Sequence, residues 1–180
     1  IQFHLSLQSG SDTVLRRMHR KYDTARYAES VRLLHKYFPG CAVTTDLIVG
    51  FPGETEQEFA ESLDFVARCG ISMFHIFPYS RRSGTPAAKM PDQLPRSVKE
   101  ARAARAAQVA ASLEEGYHEA MRGSVQQVLF EQLEDGLWAG HAMNYVKVYL
   151  QSAEDLNNRV LPVRVTELCR DGVLGELASE

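Results

Sequence analysis

Thr45-Asp46-Leu47-Ile48-Val49-Gly50-Phe51-Pro52-Gly53-Glu54-Thr55 is the stretch that decides how this chain is read. An apolar run ends in a Gly-Phe-Pro-Gly turn and passes at once into an acidic segment. That is the pattern of a buried strand feeding a tight turn into a helix. Gly50 and Gly53 let the backbone approach a ligand closely, and Pro52 stiffens the turn. In α/β folds, ligands sit at the carboxyl ends of such strands. Glycine turns of this kind also occur in ordinary connections, so the stretch by itself fixes a strand–turn–helix unit rather than a site.

The same alternation of elements extends in both directions. His4 to Gln8 reads as a short strand ending in the polar turn Ser9-Gly10-Ser11-Asp12. A helix capped by Asp12 follows, with Val14, Leu15 and Met18 apolar. A second helix from Thr24 carries Tyr27, Val31, Leu34 and Phe38 on one face and stops at Pro39-Gly40. Ala42–Val49 is the next strand. Residues 56–68 form a helix with Phe59, Leu63 and Val66 inward and Gly70 at its end, and Ile71–Tyr79 is a third strand. Strands alternating with helices imply a parallel sheet with right-handed crossovers.

Ser80–Pro95 is a loop rich in Arg, Gly and Pro, and Ser97–Met121 is a long Ala-rich helix of high intrinsic propensity. From Gly123 the pattern changes to period two. Ser124–Glu131, Leu137–Ala142, Tyr145–Leu150, Arg159–Leu168 and Leu174–Leu177 read as strands, with turns at Gly136, Asn157-Asn158 and Asp171-Gly172. Five short strands in so few residues fit a small β-barrel of OB-like size.

The 180 residues are 44% hydrophobic and 24% charged, which suits one large domain or a medium one with a small companion. The net charge of −3 is uneven: residues 1–112 carry 15 Lys/Arg against 11 Asp/Glu, and residues 113–180 carry 5 against 12. This shift places a boundary near residues 113–122 and leads to domains 1–116 and 117–180. No apolar run reaches the roughly 18 residues a membrane span requires. Ile1-Gln2-Phe3-His4 reads as a strand, not a leader, and there is no initiator Met, so the chain is expected to start inside a larger protein. Cys41, Cys69 and Cys169 are widely spaced. They point to a reducing, cytoplasmic setting and do not match zinc or iron–sulfur spacing, so no metal site is expected from these residues.

Three polar groups fall where a ligand site at strand ends needs them: Gln8, Arg20 and Asp46. An acid at a strand end can hold ribose hydroxyls, and an arginine can pair with a carboxylate. A surface arginine and a turn-stabilising aspartate would look the same. Arg16, Arg17, His19, Arg20, Lys21 and Arg26 form a basic cluster, and Arg81-Arg82 another; both can contact RNA phosphates or simply face water. No nucleophile–His–acid spacing or Walker loop is present. From the residues alone, the chain is a nucleotide-like ligand site on an α/β scaffold with a β-barrel appended, and the reaction stays open.

Four motifs narrow that reading: Leu5-Ser6-Leu7-Gln8-Ser9-Gly10-Ser11-Asp12, Arg17-Met18-His19-Arg20-Lys21-Tyr22, Thr45–Thr55, and Phe77-Pro78-Tyr79-Ser80-Arg81-Arg82-Ser83-Gly84-Thr85-Pro86-Ala87. In order and spacing the chain resembles the radical S-adenosylmethionine methylthiotransferases that modify tRNA. Residues 117–177 are similar to the TRAM domain that ends these enzymes. Asn144-Tyr145-Val146-Lys147-Val148-Tyr149 and Gly172-Val173-Leu174-Gly175-Glu176-Leu177 are most similar to the MtaB branch.

The resemblance implies an α/β fold: the C-terminal portion of a partial (β/α) barrel followed by a five-stranded OB-like barrel. It implies that Gln8 and Asp46 hold the ribose of S-adenosylmethionine, that Arg20 pairs with its carboxylate, and that Ile48 and Gly50 line the adenine pocket. Tyr79, Arg81 and Thr85 would lie near the substrate mouth. The family's cluster-binding C-x-x-x-C-x-x-C motif is absent from these residues. Ligands for its [4Fe-4S] clusters are therefore expected in sequence preceding this chain, no catalytic residue is assigned within it, and the chain alone is expected to be inactive. The implied substrate is N6-threonylcarbamoyladenosine beside the tRNA anticodon, with the sulfur and electron donors left open. A MiaB-type or RimO-type enzyme, or a catalytically inactive RNA-binding module, is the alternative.

Overall fold

A computed structural model of the chain describes residues 1–178. They divide into two compact units. One comprises Phe3–Pro39 and Val43–Leu113; the other comprises Ile1–Gln2, Gly40–Ala42 and the chain from Glu114 onward.

The first unit is built on a three-stranded sheet in the order β1 (Gln2–His4), β2 (Ala42–Val49) and β3 (Met73–Pro78). β2 and β3 are parallel, with Asp46 opposite His75 and Ile48 opposite Phe77. Val43, Thr45, Leu47 and Val49 are buried on one face, while Asp46 and Ile48 on the other remain partly open. Helices α1 (Asp12–Arg17), α2 (Thr24–Tyr37) and α3 (Glu56–Arg68) add Leu15, Val31, Phe59 and Val66 to the buried core. This is the α/β arrangement that the strand–turn–helix pattern predicts.

The first strand is shorter than its sequence suggests. Beyond Leu5 N, which still donates to the Thr44 carbonyl at 2.9 Å, side chains replace the ladder as far as Leu7. Leu7 N donates to Thr45 Oγ1 at 2.8 Å, and the Tyr27 hydroxyl donates to the Leu5 carbonyl at 2.8 Å. Gln8 rejoins β2 only as an isolated parallel bridge to Leu47 and adopts a left-handed backbone, φ 75°. The cap of α1 also differs from expectation. Ser11 is the N-cap residue, and Asp12 instead accepts from Thr24 N at 2.8 Å, bracing the start of α2. β3 begins at Met73 rather than Ile71, because Ser72 meets β2 partly through its side chain: Ser72 N donates to the Val43 carbonyl at 2.8 Å, but Val43 N donates to Ser72 Oγ at 3.2 Å instead of to a ladder carbonyl.

The turn after β2 is held by a buried ion pair. Glu54 Oε1 accepts from Gly50 N at 2.8 Å and from Arg102 Nη1 at 2.6 Å, and Arg102 Nη1 also reaches the Glu54 carbonyl at 2.9 Å. The two side chains are 1% and 7% exposed. Arg102 lies on α4 (Arg96–Ala120), and its guanidinium stacks over Phe59 of α3. Next along the chain, Thr55 and Glu58 form a reciprocal capping box on α3. Arg17 donates to Glu58 Oε2 at 2.7 Å, tying the end of α1 to that cap.

In the second unit, β4 (Val125–Glu134), β5 (Leu137–Ala142), β6 (Lys147–Leu150), β7 (Val160–Cys169) and β8 (Gly172–Leu177) close a barrel in the order β4-β5-β6-β8-β7. β6 and β8 are parallel and the remaining pairs antiparallel. Val128, Phe130, Val148, Leu156, Val163, Val165 and Val173 fill it. β8 starts at Gly172, two residues before the predicted Leu174, because Gly172 already pairs with Cys169; a Cβ there would collide with the Lys147 carbonyl. β6 starts at Lys147 rather than Tyr145, because Tyr145 has φ 63° and its N–H closes a turn onto the Ala142 carbonyl.

Two outcomes follow for stability. Arg102→Met leaves the Glu54 carboxylate buried and unpaired, which is expected to cost about 3–5 kcal/mol, whereas the Glu54→Gln, Arg102→Met double variant recovers a large part of that loss; urea denaturation of the three proteins checks both. For Glu58, burial raises the carboxyl pKa, but Arg17 and Thr55 outweigh it and hold the group below its ordinary value. Its contribution is therefore complete above the ordinary range near pH 4.3 and is lost as pH falls through the lower folded value. Glu58→Gln is expected to flatten the acid limb of the stability–pH curve, measured by thermal melts.

Candidate functional site

The open face of the sheet carries the site. His4, Ser6 and Gln8 from the first segment lie beside Thr44, Asp46 and Ile48 of β2, and His75 and Phe77 of β3 complete the row. Alternation puts these residues on one face, since successive strand side chains point to opposite sides. Gln8 N donates to the Asp46 carbonyl and Ile48 N to the Gln8 carbonyl, both at 2.9 Å, so the left-handed Gln8 is locked between the two residues it serves.

Gln8, Asp46, Ile48 and Phe77 of this row border a cavity of about 440 Å³. Its apolar wall is Ile48, Phe77, Pro78 and Ala87, and its polar groups are Gln8, Asp46, Ser80, Arg82 and Thr85. Ligand pockets typically span about 300–1,000 Å³ with mostly apolar walls and a few placed polar groups. Tyr79 also lines it, and the Tyr79 hydroxyl is buried without a hydrogen-bond partner. An orphaned buried hydroxyl at a cavity is suited to a polar ligand atom.

The loop after β3 is held in place from several sides. Tyr79 N donates to the Val49 carbonyl at 2.8 Å, and Lys99 Nζ donates to the Tyr79 carbonyl at 3.0 Å. The Phe51 and Tyr79 rings meet edge to face, 5.5 Å between centroids. Arg81 Nε donates to the Ala88 carbonyl at 2.8 Å, and Thr85 caps the short helix Pro86–Lys89.

Of the residues singled out from sequence, the cavity brings together Gln8, Asp46, Ile48, Tyr79 and Thr85. Arg20, Gly50 and Arg81 lie outside its lining. Arg20 is exposed, and its charge acts on Tyr22, whose hydroxyl pKa is raised by burial against the pull of Arg20. That hydroxyl donates to the Ser6 and Leu7 carbonyls at 2.9 and 2.8 Å, just before Gln8. Gly50 faces Lys99, which fills the space a Cβ would need, and φ 74° favours glycine there. Arg81 braces the loop, and its neighbour Arg82 takes the position at the cavity. Phe77, Ser80, Arg82, Ala87, His4 and Ser6 were missed as individual residues. The period-two alternation through His4, Ser6 and Gln8, and through His75 and Phe77, is the signal that could have found three of them, His4, Ser6 and Phe77.

On the barrel, a groove of about 600 Å³ is lined by Leu129, Met143, Tyr145 and Val160 with Glu131 and His141 at hand. Glu131 and His141 pair at 2.6 Å. Among the described residues no group of three or more His, Cys, Asp or Glu side chains is placed to hold a metal ion. The described residues therefore do not fit an iron–sulfur cluster.

Residues 1–66 match the family model described as the radical SAM superfamily. The chain is 40% identical over 167 residues to threonylcarbamoyladenosine tRNA methylthiotransferase MtaB of Bacillus subtilis, a match covering 90% of this chain and 37% of that protein. It is 40% identical over 178 residues to tRNA-2-methylthio-N(6)-dimethylallyladenosine synthase of Symbiobacterium thermophilum, covering 97% of this chain and 38% of that protein. The corresponding synthase of Acidothermus cellulolyticus is 39% identical over 166 residues, covering 92% and 32%. The chain is a relative of the radical SAM tRNA methylthiotransferases. It spans less than two fifths of the length of each of these three proteins.

The radical SAM match contains the lining residues Gln8, Asp46 and Ile48, and the lining residues from Phe77 to Ala87 lie beyond it. An adenosyl group fits the chemistry of this cavity: an apolar wall for a base, a carboxylate and an amide for hydroxyls, and the unpartnered Tyr79 hydroxyl. Arg81→Ala is expected to free the loop from the Ala88 carbonyl. Losing one charged hydrogen bond of about 1.5 kcal/mol raises local opening roughly tenfold; the rate of limited proteolysis within residues 80–90 measures it.

Proposed function

We propose that this chain is the part of a tRNA methylthiotransferase that binds the nucleoside of S-adenosylmethionine, and that the enzyme acts on N6-threonylcarbamoyladenosine beside the anticodon. The observation that carries the reading is the convergence of Gln8, Asp46 and Ile48 on one cavity within the radical SAM match. Asp46 and Gln8 are suited to accept from and donate to ribose hydroxyls, and Ile48 with Phe77 gives a base an apolar surface. Arg20 is assigned to the amino-acid end of the cofactor, and Tyr79, Arg82 and Thr85 to the mouth where the substrate base enters. S-adenosylmethionine, when bound, supplies hydrogen abstraction and methyl donation; the residues here bind and orient.

In this reading residues 1–116 belong to the radical SAM domain and 117–180 to a TRAM-like barrel. The [4Fe-4S] ligands lie in other parts of the enzyme, and the enzyme is cytoplasmic. Among the described residues no helix is long and apolar enough to cross a membrane. A MiaB-type substrate is the second reading, favoured by the equal identity to the dimethylallyladenosine enzyme over slightly more of the chain.

Nucleoside mass spectrometry of tRNA from cells with and without the gene that encodes this chain tests both. Loss of only the methylthiolated threonylcarbamoyl nucleoside is expected, restored by the wild-type gene and not by its Asp46→Ala variant. Loss of the methylthiolated dimethylallyl nucleoside instead moves the substrate to the second reading. No change in either overturns the tRNA methylthiotransferase assignment in favour of a ribosomal-protein target or an inactive RNA binder.

A further inference from the structure

Asp46 has an asymmetric environment. Its Oδ2 lies 3.3 Å from His4 Nε2 and 3.5 Å from Ser6 Oγ. The far side of the His4 ring is held as well, with Nδ1 at 3.0 Å from Thr44 Oγ1. Thr44 is buried, and its side chain precedes Asp46 on the same strand face. Asp46 itself is a quarter exposed and borders the cavity. Its Oδ1 has no hydrogen bond among the described residues. In the tautomer with the proton on Nε2, the ring donates to Asp46 and its Nδ1 accepts from the Thr44 hydroxyl.

One carboxylate oxygen is thus committed to the protein, while the other has no protein hydrogen bond among the described residues on a side chain that borders the cavity. A carboxylate that turned freely would lose rotamer freedom on binding a diol; one already fixed does not, and preorganisation converts directly into affinity. The His75 ring, in register with Asp46 and 6.3 Å from the His4 ring, lines the same row without contacting the carboxylate.

We propose that His4 is a positioning residue for the adenosyl site: oriented by Thr44, it fixes Asp46 through Oδ2 so that Oδ1 accepts from the vicinal diol of a ribose. This rests on the reading of the cavity as a nucleoside site. His4 touches no ligand in this scheme and acts through Asp46.

The test is calorimetric binding of adenosine and of 2′,3′-dideoxyadenosine to the 180-residue chain and to His4→Ala, His4→Gln and Asp46→Ala, with thermal melts to verify folding. The wild-type chain is expected to prefer adenosine. His4→Ala is expected to weaken adenosine about tenfold, the scale of one hydrogen bond to a charged group, while leaving dideoxyadenosine unchanged. His4→Gln, whose amide reaches the Nε2 position, is expected to restore most of the preference. Asp46→Ala is expected to abolish it.

If Asp46→Ala removes the preference and His4→Ala keeps it, the role of His4 is overturned and the nucleoside site stands. Equal weakening of both ligands in His4→Ala, without rescue by glutamine, reduces His4 to a packing role and overturns the proposal. If the wild-type chain does not distinguish the two nucleosides, or Asp46→Ala behaves as wild type, the ribose reading of the cavity fails and the role of His4 with it.

Discussion

Glu54 and Arg102 are almost fully withdrawn from solvent, and neither charge could be buried there alone. Burial pushes the Glu54 carboxyl above its ordinary range, against the opposing pull of the Gly50 N–H and Arg102. An ion pair of this kind adds little net stability compared with a well-packed apolar pair, but breaking it is costly. Its effect here is geometric. It ties the Gly50-Phe51-Pro52-Gly53 turn to α4, and Lys99, one turn earlier on that helix, then reaches the Tyr79 carbonyl. The end of β2 and the loop after β3 are thereby held by the same helix, and the cavity lies between them. The position of Tyr79, Arg82 and Thr85 relative to Asp46 depends on this anchor more than on any contact inside the cavity.

The opposite wall depends on the interruption of the first strand. Had β1 run straight through Gln8, its backbone would have been consumed by an ordinary ladder. Instead, hydroxyls of Thr45, Tyr22 and Tyr27 bond Leu7 N and the Leu5, Ser6 and Leu7 carbonyls, and Gln8 adopts φ 75°. A non-glycine residue in the left-handed region costs free energy and persists where its surroundings over-determine it. Here the two backbone bonds to Asp46 and Ile48 do so.

The barrel is organised by a different means. Tyr149, almost completely buried, donates to Asp171 at 2.5 Å and lies between the cations of Lys147 and Arg170. Lys147 also pairs with Glu134 at 2.8 Å, so the β4–β5 and β7–β8 turns meet over one ring. Two of the acidic side chains after residue 113, Glu134 and Asp171, are thus engaged in structure. The basic side chains available to a polyanion lie mainly in the other unit, at Arg16, Arg20, Lys21, Arg26 and Arg82.

The order and type of the elements were legible because they rest on local patterns: period-two runs, a strand entering a Gly-Phe-Pro-Gly turn, apolar spacing on the helices, and turn residues between the barrel strands. Gln8 and Asp46 could be chosen because each reads as lying at or near a strand end, whereas Ile48 came only from the family resemblance. The strand that stops at His4, the Asp12 side chain that braces α2 rather than capping α1, and the start of β8 at Gly172 were not legible, because each is set by groups 12 to 40 residues away or by a neighbouring strand. The same holds for the exchange of Arg81 for Arg82 at the cavity: two adjacent arginines are equivalent in sequence, and only the Ala88 carbonyl distinguishes them. By itself, then, the sequence determined which segments are strands and helices and which polar residues end them, since those depend on neighbours within a turn or two. Tertiary structure alone decided which side chains meet, Glu54 with Arg102 and His4 with Asp46 above all, since burial and long-range pairing give a side chain its partner.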